Sequence, residues 1–144
     1  MLLVPVGGGG LIAGASIVLN ATSDAMTLVG VEPEAVDEAA RSLAAGQRLP
    51  ATGKPTIADG LQAGIGERNF VLLQRGVSHI VTVSEEQIRH ALRLVFERLK
   101  VVVEPSAAVP LAGLLAGGFA SEGQHVGVIL SGGNIDLDRM QDFI

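Results

Sequence analysis

Four successive glycines, Gly7 to Gly10, stand between the apolar run Leu2-Leu3-Val4-Pro5-Val6 and a segment where Leu11, Ile12, Ala15, Val18 and Leu19 recur at helical spacing. Glycines there let backbone approach a ligand closely and adopt φ values closed to other residues. Their N–H groups, joined by those of the following helix's first turn, suit an anion such as phosphate. A tight strand–helix turn needs one or two glycines but rarely four. The spacing does not say which phosphate. A dinucleotide fingerprint begun at Gly7 needs glycine at position 12, which is Ile12, and one begun at Gly9 fails at Leu11. Glu32 closes the second apolar run where a ribose-binding acid would sit, which keeps that reading open. A P-loop is excluded, because Gly53-Lys54-Pro55-Thr56 has the wrong order and a proline in the way.

Ser131-Gly132-Gly133-Asn134 is a second glycine-rich turn, again at the end of an apolar run. In open parallel sheets ligands gather beyond the carboxyl ends of the strands, so the two turns can face one crevice. Ser131 alone reads equally well as a turn cap or a ligand contact. Glu32, Glu34, Asp37 and Glu38 crowd one short stretch. They form either a solvated acidic helix start or a hard-cation site, in which two carboxylates and a main-chain carbonyl bind magnesium or calcium. His90, beside Arg89 and Arg93, reads as an ordinary surface or packing residue. Neither Lys54 nor Lys100 sits in an apolar setting that would depress its pKa.

These residues need elements to position them. Leu2 to Val6 and Thr27 to Val31 read as buried strands separated by a helix, and Glu34 to Ala45 as a second helix with acids in its first turn and Gly46 as its stop. Residues 46–66 are punctuated by prolines and glycines, and an irregular stretch that long is often functional. A short helix over Phe70 to Leu73 and a strand over His79 to Val83 follow. Ser84 with Gln87 forms a capping box for a helix carrying Ile88, Leu92, Val95, Phe96 and Leu99 on one face. Val101 to Val103 leads into a helix over Ala107 to Leu115. A last core strand spans His125 to Leu130, and a short terminal helix begins at Asp136 and Asp138. Alternating strands and helices predict an α/β fold with a parallel sheet and flanking helices.

Composition narrows the class. The 144 residues are 48% apolar with 19 glycines, only 17% are charged, and the net charge is −5. Disorder and a charged coiled coil are excluded, and no nucleic-acid footprint is expected. No cysteine means no disulfide scaffold and no thiolate metal site. The uncharged stretch from Met1 to Ser23 lacks a basic lead and contains Pro5 and the glycine run, so neither a signal peptide nor a membrane span is expected. A soluble, cytoplasmic protein follows from this reading. So apolar and charge-poor a chain reads like the inside of something larger.

Taken together, Val4-Pro5-Val6-Gly7-Gly8-Gly9-Gly10-Leu11, Thr56-Ile57-Ala58-Asp59-Gly60-Leu61, Phe96-Glu97-Arg98, Val103-Glu104-Pro105-Ser106 and Ser131-Gly132-Gly133-Asn134-Ile135-Asp136 resemble the pyridoxal-phosphate (PLP)-dependent serine/threonine dehydratases and serine racemases. The resemblance runs over essentially the whole chain and keeps the order of the blocks. It implies the tryptophan-synthase-like (fold type II) architecture, with residues 1–144 as the C-terminal portion of a PLP-binding catalytic region. By this resemblance Gly7, Gly8, Gly9, Gly10 and the backbone at Leu11 hold the cofactor phosphate, and Ser131 hydrogen-bonds the pyridine nitrogen. Gly60 and Glu104 lie near the cofactor. A magnesium or calcium site falls on Glu32, Glu38 and the Val36 main chain, with Glu38 longer than the aspartate familiar there. The implied reaction converts L-serine or L-threonine to a 2-oxo acid and ammonia; a serine racemase fragment or a non-catalytic phosphate-ligand module are the alternatives. The family's Schiff-base lysine motif, of the type Ser-Phe-Lys-x-Arg-Gly, has no match here, and Lys54 and Lys100 do not replace it. The chain by itself is therefore expected to be inactive. It is also expected to pair as a homodimer or with the missing N-terminal half, or else to be poorly soluble through exposed core.

Overall fold

The computed structural model describes residues 1–22, 26–117 and 123–143. Its strands are β1 (Leu2–Pro5), β2 (Leu28–Pro33), β3 (His79–Val83) and β4 (Gly127–Val128). The helices are α1 (Gly10–Thr22), α2 (Glu38–Ala45), α3 (Glu67–Gly76), α4 (Glu85–Leu94) and α5 (Pro105–Ala116). All strand pairings are parallel and the order is β3-β2-β1-β4. This is the α/β architecture expected from the alternating pattern. The chain steps outward from β1 to β2 to β3, then returns to lay β4 on the other side of β1. The order of winding therefore reverses between β1 and β4, and that is where a crevice opens at the strands' carboxyl ends.

The alternation of side chains along each strand divides the core between the two faces of the sheet. Leu3, Val29 and Val31 pack with Ile88 and Leu92 from α4, Val95 just beyond it, and Ala108 from α5. Val4, Val6 and Leu28 pack on the other side with Ile12, Ala39, Phe70 and Leu73 from α1, α2 and α3. Every residue of β2 is buried, which is why the strand reads as an unbroken apolar run closed by Glu32.

Several boundaries differ from the sequence reading. The helix expected over Glu34 to Ala45 is two pieces, a 3-10 turn at Glu34–Val36 and then α2, with Asp37 between them. The short helix expected to carry Phe70 to Leu73 is the ten-residue α3. The capping box at Ser84 is present with both of its hydrogen bonds. The face it starts continues past α4 as a π-helical turn, Val95–Leu99, which ends at Lys100 in the left-handed region with φ 59°. β4 holds only two residues of the expected strand. Residues 101–104 run extended beside its continuation, where the Glu104 N–H donates to the Gly132 carbonyl at 3.1 Å.

Candidate cofactor site

The crevice at the β1–β4 reversal holds a cavity of about 230 Å³ lined by Gly7 to Gly10, Leu11, Gly60, Leu61, Glu104, Ser106 and Ser131. Four of the sequence blocks thus converge on one space.

The glycine loop is held from behind. The Gly8 carbonyl accepts from the Asn69 side chain at 2.7 Å and from the Gly66 N–H at 3.1 Å. The Gly9 carbonyl accepts from the Ala13 N–H in the first turn of α1. With its carbonyls tied back, the loop is left facing the cavity beside the first-turn N–H groups of α1, which have no intrahelical acceptors. Gly9 has φ +80°, and a Cβ on Gly7 would stand 2.8 Å from the Cα of Leu61. The loop therefore needs glycine for conformation at one position and for close approach at another.

Opposite the loop, a 3-10 turn at Asp59–Leu61 brings Gly60 and Leu61 to the cavity. Its Gly60 N–H donates to the buried Ser106 hydroxyl at 3.1 Å. Glu104 lies over the second glycine turn so closely that a Cβ on Gly132 would collide with its Oε1. Burial, and after it the charge of Asp59, holds the Glu104 carboxyl above the usual range.

The acidic stretch sorts itself differently. Glu32 and Glu38 are fully buried, whereas Glu34 stays at the surface and Asp37 pairs with Arg41 at 2.8 Å. The Glu32 carboxylate accepts from the Ala39 and Ala40 N–H groups at 3.0 and 2.8 Å, so it caps α2 from the end of β2. Burial pushes its pKa up to about 8 against those two hydrogen bonds, with Glu38 and Asp37 adding repulsion. Burial raises the Glu38 carboxyl as well, and neither of its oxygens has a hydrogen-bond partner. Among the described residues no group of three or more histidine, aspartate and glutamate side chains has the arrangement of a metal centre.

Sequence reasoning missed the supports. Nothing in the spacing marks Asn69 as the residue that ties back the glycine loop. The contact between Ser106 and Gly60 joins residues 46 apart, beyond any local pattern. Neither lysine of the chain, Lys54 or Lys100, lines the cavity. No helix among the described residues is long and apolar enough to cross a membrane.

Comparison with known proteins agrees with the geometry. The chain is 38% identical over 139 residues to beta-hydroxyaspartate dehydratase of Paracoccus denitrificans, covering 96% of this chain and 44% of that protein. The solved structure of the T.th. threonine deaminase superposes with a TM-score of 0.89 at 48% identity, over 94% of this chain and 50% of that one. Maize serine racemase superposes with a TM-score of 0.91 at 34% identity, over 98% of this chain and 46% of that one. The chain thus spans about half the length of the relatives it matches, and these neighbours carry the fold type II architecture. The family profile described as pyridoxal-phosphate dependent enzyme matches residues 1–132. By that match and these likenesses, the chain belongs to the pyridoxal-phosphate-dependent enzyme family.

Proposed function

We propose that this chain supplies the phosphate- and ring-binding side of a PLP-dependent enzyme acting on small amino acids with a β-hydroxyl. The observation that carries the reading is the single cavity where the glycine loop, Gly60, Glu104 and Ser131 meet. The N–H groups of Gly7 to Leu11 would hold the cofactor phosphate, and the positive end of α1 would favour its charge. The Ser131 hydroxyl would donate to the pyridine nitrogen, and a neutral donor there would favour an uncharged ring. Gly60 would leave room beside the ring, and Glu104, its carboxyl raised by burial and then by the charge of Asp59, stands at the cavity wall. When bound, the cofactor acts as an electron sink that stabilises negative charge at the substrate Cα. The net conversion takes L-serine or L-threonine to the corresponding 2-oxo acid and ammonia: the Cα proton and the β-hydroxyl leave as water, and the released enamine takes up one water to give the oxo group and ammonia. The amine that anchors the cofactor comes from polypeptide beyond this cavity wall, and the 144-residue chain alone gives no turnover.

A cation site belongs to the same proposal. Glu32, Glu38 and the Val36 carbonyl would hold magnesium or calcium, all-oxygen donors matched to a hard cation. The fit rests on Glu38, a buried carboxylate with both oxygens unpartnered, beside a second buried carboxylate. The ion would supply charge compensation at the carboxyl ends of β2 and the start of α2, not a reacting group. Calorimetric titration of the wild type and of Glu32→Gln with either cation tests it. Heat lost in the variant is the expected result, and identical isotherms reject the site.

The cofactor reading is tested by equilibrium dialysis with pyridoxamine phosphate, which has the phosphate and ring but no aldehyde to react with surface amines. One saturable site per chain, competed by inorganic phosphate and weakened by Ser131→Ala, is the expected result. Absence of saturable binding overturns it.

A further inference from the structure

The turn that roofs the cavity has no regular structure on its upstream side, yet one side chain fixes it. Glu85, the first residue of α4, places its two carboxylate oxygens on two donors of that segment. Oε1 accepts from the Thr56 hydroxyl at 2.5 Å and Oε2 accepts from the Ile57 N–H at 2.9 Å. The Thr56 oxygen in turn accepts from the Ala58 N–H at 3.2 Å. The Ala58 carbonyl then accepts from the Leu61 N–H at 2.9 Å, closing the turn whose Gly60 and Leu61 reach the cavity. Leu61 is the residue whose Cα lies within 2.8 Å of where a Gly7 Cβ would be. An unbroken chain of hydrogen bonds therefore runs from the start of α4 to the far wall of the glycine loop.

We propose that Glu85 is a positioning residue for cofactor binding, acting through Thr56 to hold the Asp59–Leu61 turn against the glycine loop. This rests on the cofactor reading of the cavity and deepens it. Two features make Glu85 suited to the role. Its carboxylate accepts both hydrogen bonds at once, which neither a glutamine, with one acceptor and one donor end, nor an aspartate, one methylene shorter, reproduces. Glu85 is the first residue of α4, a helix whose Ile88, Ala91 and Leu92 are buried, so the carboxylate is delivered from a packed element and not from another loop.

The test compares Glu85→Ala, Thr56→Val, Thr56→Ser and Ser84→Ala in the full chain, with pyridoxamine phosphate as the probe. Glu85→Ala and Thr56→Val are each expected to weaken binding about tenfold or more, the scale of a lost charge-assisted hydrogen bond. The double variant is expected to lose less than the two single losses combined, because the Thr56–Glu85 hydrogen bond is common to both. Thr56→Ser keeps the hydroxyl and is expected to restore wild-type affinity. Ser84→Ala weakens the start of α4 without touching the turn, so it should lower thermal stability and leave affinity unchanged. Wild-type affinity in Glu85→Ala, or an equal loss in Ser84→Ala, overturns the proposal. Should the wild type itself not bind the probe, the cofactor reading fails on its own. The linkage is then read from amide exchange in the ligand-free protein. Faster exchange at Ile57, Ala58 and Gly60 in Glu85→Ala, but not in Ser84→Ala, supports it, and unchanged exchange refutes it.

Discussion

Glu32 and Glu38 show how far residue types alone determine a site. Four acids in a short stretch are visible in the sequence, and so is their match to a hard cation. Which two turn inward is not visible, because the decision is made by a break in the helix. The 3-10 turn at Glu34–Val36 ends before α2 begins, and the interruption at Asp37 leaves Glu34 exposed while Glu38 is buried. Glu32 then serves as the cap that Asp37, engaged with Arg41, does not provide. A pH dependence follows for protein freed of divalent cations. The unfolded chain releases the Glu32 proton near 4.5, whereas burial holds it in the folded state up to about 8. Between those values the folded state binds more protons, so stability falls as pH rises and levels off above the folded value. Thermal melts of chelated protein from pH 5 to 8.5 should show this decline. Glu32→Gln should flatten it, and added magnesium should offset it by favouring the ionised carboxylates. A decline of equal slope in Glu32→Gln would contradict the assignment.

Elements with strong local signals are the ones the sequence reveals. Ser84 and Gln87 announce the start of α4, and the apolar run of Thr27 to Val31 announces β2, since both depend on neighbours a few residues away. The start of α4 should carry an ordinary cap energy, so Ser84→Ala is expected to cost about 1 kcal/mol in a denaturant melt. β4 pairs with β1 at Gly127 and Val128 alone, so the strand expected to run from His125 to Leu130 is regular over two residues only. The 56–61 turn is legible as a sequence block but not as a structure. Its partners, Glu85, Ser106 and Gly7, lie far along the chain. Gly7→Ala forces a Cβ against Leu61 backbone, where no flexible side chain can yield. It should cost about 1–3 kcal/mol of stability and lower cofactor affinity together, measured by melts and dialysis on the same sample. A variant that loses stability while binding at full affinity would show that turn and loop are not in register with the ligand.

At the scale of the whole molecule, the fold class follows from strand–helix alternation, whereas the reversal of winding that brings the two glycine turns to one crevice is set by the strand order β3-β2-β1-β4, which no local pattern encodes. The apolar surplus has a visible counterpart. Leu99, Val101 and Val102 are 56%, 46% and 53% exposed on the segment beside β4, with Lys100 the sole charge among them. Three large apolar side chains exposed within four residues suit a contact surface better than an ordinary solvated one. The 14.8 kDa chain is therefore expected to sediment as a self-associated species, and the double change Val101→Asp and Val102→Asp should shift it toward monomer. A monodisperse wild-type monomer would contradict this.

The central claim is that the cavity between β1 and β4 seats the cofactor by its phosphate and ring. It is tested most directly by titrating pyridoxamine phosphate into isotopically labelled protein and following each backbone amide. The account predicts saturable shifts that are largest at Gly7 to Leu11 and at Ser131, with Gly60 next. Shifts confined to Lys54, Lys100 and the amino terminus, or no saturable shifts at all, would contradict it.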